Sequence, residues 1–191
     1  HIGKEANITD PAQIGHTMVD RLADADFILA TGAAGDGTLD LDAAKGPSSL
    51  YRFIGAGLSA RKAKGLPGLT LLSCDNLADN GAVLHRLMRD YLTATNPLLA
   101  DWFDQQCRCP GTMVDRIVPA MTDEDRRWIA SVIGMADEGA VITEPFCQWV
   151  VEDDFAGPRP RWEAVGATMV SDVRPYEAAK LRMLNGAHSA L

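Results

Sequence analysis

The chain has 191 residues, 26 acidic against 18 basic, and a net charge of -8, which argues against nucleic acid as its main partner because phosphate binding needs clustered Lys and Arg. With 47% apolar and 23% charged residues it is a globular rather than a disordered chain, long enough for one domain with a real core. No apolar run reaches membrane-spanning length, no signal peptide is visible, and the cysteines Cys74, Cys107, Cys109 and Cys147 form no CxxC pair, so reduced thiols in a cytoplasmic protein are expected.

In chain order, Asp10-Pro11 is a helix entrance, and Ile14, Met18, Val19 and Leu22 have helical spacing. Phe27–Thr31 is a short apolar run of buried-strand type, followed by the Gly-rich stretch Gly32–Gly37. A Gly-rich turn after a strand can cradle phosphate, but this one is spaced GxxGxG and acidic residues follow it, so a plain turn is the favoured reading. Ser48 or Ser49 can cap a helix running to about Lys64, with Leu50, Phe53, Ile54 and Leu58 on one face, and Gly65-Leu66-Pro67-Gly68 ends it.

Leu69–Cys74 reads as a buried strand, with Asp75-Asn76 at its carboxyl end, where ligands gather in open α/β sheets. Asn80 can cap the next helix, whose Val83, Leu84, Leu87, Met88 and Tyr91 form an apolar stripe. Pro97 opens another helix through Trp102, Met113–Val118 is a strand interrupted by two charges, and Thr122–Asp125 is an acidic helix start that suits the dipole. Val141–Thr143 and Gln148–Val151 read as strands, Asp154–Pro160 as a turn-rich link, and Ala167–Val170 as a last strand. Helices alternating with apolar strands give an α/β fold.

The chain ends on Arg174–His188, which reads as a helix with Asp172 as its N-cap and Pro175 in its first turn. At about 100° per residue, Glu177, Lys180, Leu184 and His188 fall within an arc of about 80°, with Asn185 at the edge of that face. A carboxylate, an amine, an amide and an imidazole on one stripe are costly to bury unless they are paired or used.

Several segments resemble, in one order, the polyol-specific long-chain dehydrogenases, the mannitol dehydrogenase family. They are Ser73-Cys74-Asp75-Asn76-Leu77 with Asn80-Gly81, then Thr112–Pro119 with its Val114-Asp115-Arg116 core. Glu144-Pro145-Phe146, Gln148-Trp149-Val150 and Glu152-Asp153 follow, and then Pro175-Tyr176-Glu177, Lys180, Leu184-Asn185-Gly186 and His188. The resemblance covers about residues 48–191 and implies the later part of a Rossmann-type nicotinamide-binding domain (1–172), followed by the first helix of a mostly helical second domain (173–191). The missing initiator Met and a helical pattern still running at Leu191 point to a piece of a longer chain, with the family's Gly-rich dinucleotide loop upstream of residue 1.

The resemblance further implies hydride transfer between a secondary alcohol carbon and NAD or NADP, without a metal. Lys180 would be the general acid–base, and Asn76 and Asn185 would donate to the reacting oxygen. His188 would hold the substrate hydroxyl or orient Lys180, and Glu177 would relay protons to water. Asp115 would lie by the substrate, and Asn76 and Val114 by the cofactor. Taken alone, Lys180 would be a solvated surface lysine, Asn76 a turn residue, Asn185-Gly186 a helix end, His188 a core histidine, and Glu177 half of a Glu–Lys pair. The expected partners are a small polyol, ketose or sugar acid, with no nucleic acid and no membrane. D-Mannitol and D-fructose are the leading pair and fructuronate reduction to mannonate the alternative. A rival reading from another class is a non-enzymatic α/β binding module that uses the Gly32–Gly37 turn or the acidic surface.

Overall fold

The computed structural model describes residues 28–31 and 33–182. The expected first helix, with Ile14, Met18, Val19 and Leu22, lies outside them, as do Gly32 and the last nine residues. β1 (Ile28–Thr31) pairs in parallel with β2 (Thr70–Ser73), Thr31 opposite Ser73, so the carboxyl ends of both strands face the same way. Every residue of β2 is buried, which is why its sequence is a continuous apolar run rather than an alternating one.

The crossover between these strands carries a short helix α1 (Leu41–Ala44), capped by the Asp40 carboxylate, and the longer α2 (Leu50–Ala63). Ser49 stands at the start of α2 but makes no side-chain cap bond, and Gly65 follows the helix in the left-handed region that glycine reaches without strain. Ile54 and Leu58 of α2 are fully buried, whereas Leu50 is exposed, so the apolar stripe is narrower than its spacing suggests.

After β2 come α3 (Asn80–Thr95) and α4 (Pro97–Gln106). Leu84, Leu87, Met88, Tyr91 and Leu92 turn inward from α3. The end of α4 lies four residues beyond the expected Trp102, because Phe103 is fully buried and the chain stays helical to bring it there. Ile54, Leu58, Leu71, Leu84, Met88 and Phe103 form the main core.

The second sheet holds β3 (Thr112–Asp115), β4 (Gln148–Glu152) and β5 (Thr168–Val170), with β3 antiparallel and β5 parallel to β4. β3 stops at Asp115, short of the expected Val118. The Cys107–Gly111 segment bridges the two sheets. Leu71 donates to the Arg108 carbonyl at 2.9 Å, and the Arg108 N–H donates to Leu69. Two glycines make room for it: a Cβ at Gly68 would strike the Gln106 carbonyl, and one at Gly81 the Cys109 carbonyl.

Helix α5 (Asp123–Ile133) opens on a reciprocal capping box between Thr122 and Asp125, as its acidic start suggests. Val141–Thr143 forms no strand. That segment joins the rest through a hook, with Ile117 N–H donating to Glu144 Oε1 at 2.6 Å and Glu144 N–H donating to the Ile117 carbonyl at 3.2 Å. The last described helix, α6 (Arg174–Lys180), starts at Arg174 with Pro175 in its first turn. Val173 stands at its N-cap position, while the Asp172 carboxylate accepts from the Arg174 N–H at 3.0 Å. Among the described residues no helix is long and apolar enough to cross a membrane.

Candidate active site

The carboxyl end of β2 is fixed by Asp75, two residues beyond the strand. Asp75 Oδ2 accepts from the Ser73 hydroxyl and from the Ala34 N–H, both at 3.0 Å, so the turn after β1 is tied to the segment after β2. The Asp75 carboxylate thereby uses one of that turn's N–H groups, and Asp36 binds Thr38 within the turn. Both contacts favour the plain-turn reading over a phosphate cradle.

Beside this corner lies a cavity of about 180 Å³, walled by Asp75–Ala78, by Thr112–Val114 and by Glu177, Lys180 and Leu181. Three chain segments far apart in sequence therefore meet there. Lys180 reaches into it from α6 with its side chain only 15% exposed. Its Nζ donates to Asn76 Oδ1 at 3.0 Å and to the Val114 carbonyl at 2.6 Å, and stands 3.7 Å from Asp115 Oδ1. Two of the three ammonium donors are engaged, and one is left for another oxygen. A lysine has no acceptor to offer, so Asn76 must turn its oxygen to it, which leaves the Asn76 amide NH2 as the donor toward anything else. Asp115 Oδ2 is buried and has no hydrogen-bond partner, an unusual state for a carboxylate oxygen.

Glu177 lies one turn before Lys180 and accepts from the Asp79 N–H, at 3.1 Å to Oε1. Asp79 holds the left-handed conformation, φ 51°, that points its N–H this way. Burial, reinforced by the nearby carboxylates of Asp79, Glu152 and Asp172, pushes the Glu177 carboxyl above its ordinary range, while the Asp79 N–H opposes the shift. No group of three His, Cys, Asp or Glu side chains placed to hold a metal ion occurs among the described residues.

Residues 6–164 match the profile of the mannitol dehydrogenase Rossmann domain. The chain belongs to the mannitol dehydrogenase family. It is 46% identical over 152 residues to the D-mannonate oxidoreductase of Escherichia coli K12, covering 80% of this chain and 31% of that one. It is 41% identical over 157 residues to the mannitol 2-dehydrogenase of Neosartorya fischeri, again 80% and 31%. Its structure resembles that of Pseudomonas fluorescens mannitol 2-dehydrogenase in ternary complex with NAD and D-mannitol, with TM-score 0.80, 36% identity, and coverage of 94% of this chain and 40% of that one. The chain thus spans roughly a third of the length of these family members, and its α/β architecture is the family's Rossmann type.

Of the family-type site residues, Asn76, Val114, Glu177 and Lys180 line one cavity, and Asp115 stands beside it, 3.7 Å from the Lys180 amine. Asn185 and His188 lie outside the described residues. The Glu177 carboxylate binds the Asp79 backbone, not a simple helical Glu–Lys pair. Asn80 does not cap α3 as its position suggests. Asp79 takes the N-cap position of α3, and the Asn80 side chain turns fully inward. The signal was the glycine after it: a helix start reading Asn-Gly has no side chain at its second residue, which marks a close backbone approach.

Proposed function

We propose that this chain supplies the nicotinamide-side part of a metal-independent NAD(P)-dependent oxidoreductase that interconverts a polyol and a ketose, D-mannitol and D-fructose first, with Lys180 as general acid–base. The observation that carries this reading is the seating of the Lys180 amine between Asn76 Oδ1 and the Val114 carbonyl at the cavity edge. A surface lysine has no reason to be drawn to a strand end by three oxygens.

The cavity fits a nicotinamide. It lies at the carboxyl end of a parallel strand, where α/β folds bind such groups, and it combines apolar walls from Leu77, Ala78 and Met113 with the polar edge of Asn76 and Lys180. When bound, the nicotinamide takes up or delivers the hydride. The chain's own part is proton management. In alcohol oxidation Lys180 Nζ, as the free amine, accepts the hydroxyl proton, and in ketone reduction its ammonium returns one. The Asn76 NH2, joined by Asn185, donates to the substrate oxygen where charge develops, and preorganised donors of this kind favour the transition state. His188 orients the hydroxyl, Glu177 passes the proton on from Lys180 toward water, and Asp115, beside the amine, is assigned to the substrate pocket. The boundary near residue 172, with α6 opening a second, helical domain, belongs to the same proposal.

A second reading keeps the chemistry and changes the substrate to fructuronate and mannonate. The relative named D-mannonate oxidoreductase, at 46% identity, favours it. The test is nicotinamide absorbance with the full-length protein, offered mannitol with NAD or NADP and then fructose or fructuronate with the reduced cofactors, with and without a chelator. Lys180→Ala is expected to lower kcat by about 10²–10⁴-fold while the protein stays folded, the usual worth of a general acid–base. Full activity in that variant would remove Lys180 from the chemistry.

A further inference from the structure

We infer that Asn80 is a positioning residue for Lys180, acting with Thr112 as a buried staple that sets the distance between the two oxygens holding the amine. This rests on the acid–base role proposed for Lys180.

The two oxygens belong to different sheets. Asn76 follows β2, and Val114 lies in β3, which pairs with β4 and not with β2. The backbone bridge at Arg108 joins β2 to the chain ahead of β3 only at the level of Thr70, and no ladder continues it to the level of Asn76 and Val114. Asn80 supplies the link. It is completely buried. Its Oδ1 accepts from the Thr112 N–H at 2.9 Å, and its Nδ2 lies 2.8 Å from the Asp75 carbonyl and 2.9 Å from both the carbonyl and the hydroxyl oxygen of Thr112. The Thr112 hydroxyl in turn donates to the Ser73 carbonyl at 2.7 Å. One amide and one hydroxyl thus join the last residue of β2, the residue before Asn76, and the first residue of β3.

These are side-chain substitutes for missing strand pairing, and they are directional. Nδ2 donates while Oδ1 accepts, so the one amide pairs with the Asp75 carbonyl on one side and the Thr112 N–H on the other. Buried amides with every bond made are rigid, because breaking one leaves an unpaired polar group. Asn76 sits four residues before Asn80 and Val114 two residues after Thr112, so movement in the staple passes directly to the amine's two acceptors.

The test uses full-length protein with Asn80→Ala, Thr112→Val and Thr112→Ser, read by kinetics and by competitive acylation of lysines with mapping of Lys180. Thr112→Val keeps the shape and loses the hydroxyl, and Thr112→Ser restores it. Asn80→Ala and Thr112→Val are expected to lower kcat by about 10- to 100-fold, since a displacement near 1 Å at a reacting group costs about that much, with little change in KM. In both, Lys180 is expected to acylate several-fold faster, its amine no longer pinned, and Thr112→Ser is expected to behave as the parent.

Folded variants with parental Lys180 acylation overturn the proposal. If Asn80→Ala does not fold, the Val/Ser pair at Thr112 decides, and a parental Thr112→Val overturns it. If Lys180→Ala keeps its turnover while acylation still rises in the staple variants, the acid–base reading has failed and the positioning stands. Unchanged acylation beside an inactive Lys180→Ala means the reverse.

Discussion

Glu152 holds the root of the last helix. Its Oε1 accepts from the Val173 N–H at 3.1 Å, and its Oε2 accepts from the Gly111 N–H at 2.8 Å. Val173 is the N-cap of α6, where backbone N–H groups lack partners inside the helix, and Gly111 immediately precedes β3. One carboxylate therefore fixes the helix that carries Lys180 against the strand that carries Val114 and Asp115. A Cβ at Gly111 would lie 2.9 Å from Val173 and 3.0 Å from Glu152 Oε2, so the junction is closely packed as well as bonded.

Both N–H groups need an acceptor, and an amide has only one oxygen. Glu152→Gln is therefore expected to fail as a rescue. It and Glu152→Ala should each lose about 1–3 kcal/mol in chemical denaturation, the cost of stranding a partly buried donor. A Gln variant as stable as the parent would mean that the second bond contributes nothing.

Glu177 gives a pH dependence. Its folded carboxyl titrates above its unfolded value, mainly through burial. Between those two pKa values the folded state binds more protons than the unfolded state, so this group's contribution to stability is present at acid pH and is lost as pH rises through the folded pKa. Glu177→Gln keeps an acceptor for the Asp79 N–H and removes the charge. Its melting temperature relative to the parent is expected to rise as pH increases from the ordinary glutamate range through the raised folded pKa. A constant difference over that range would show that the carboxylate pays no burial penalty.

The thiols report on the bridge between the sheets. Cys107 is buried and Cys109 half-buried; desolvation pushes the Cys107 thiol up to about 11 and also raises that of Cys109. Cys74 and Cys147 are exposed. A thiol reagent applied near about pH 8 to the folded protein is expected to modify Cys74 and Cys147 and to reach Cys107 and Cys109 only after denaturant is added. Equal rates at all four would mean that Cys107–Gly111 does not rest on Gly68 and Gly81.

Much of this arrangement can be read from residue order. The apolar run Leu69–Cys74 yields the fully buried strand Thr70–Ser73, which delivers Asp75 and Asn76 to its carboxyl end. Val141–Thr143 has strand composition but no neighbour to pair with, and the Glu144 hook to Ile117 takes the place of a ladder. Composition speaks to propensity, and pairing depends on tertiary neighbours. The Asn80 staple was hidden for a similar reason. An Asn beside a helix start is ordinarily a cap, and only the left-handed Asp79 turns this one inward. The convergence of Asn76, Val114 and Asp115 on Lys180 was legible only through the family resemblance, because no local pattern links positions 104 residues apart.

The Asn76–Lys180 contact separates two duties of one amide. Its oxygen receives the ammonium at 3.0 Å, and its NH2 is the group proposed to meet the substrate oxygen. Asn76→Asp preserves the first and abolishes the second. The new carboxylate, an opposite charge within hydrogen-bond reach of Nζ, favours the protonated lysine. In alcohol oxidation, which needs the free amine, the rising limb of the pH–rate profile is therefore expected to move to higher pH by about 1 unit or more. The maximal rate, with an oxyanion donor gone, should fall by about 10²–10³-fold. A lowered rate with an unmoved pH limb would keep Asn76 as a donor and deny that Lys180 is the titrating base. A moved limb with an unchanged maximal rate would assign the donation to another group and leave Asn76 only the task of holding the lysine.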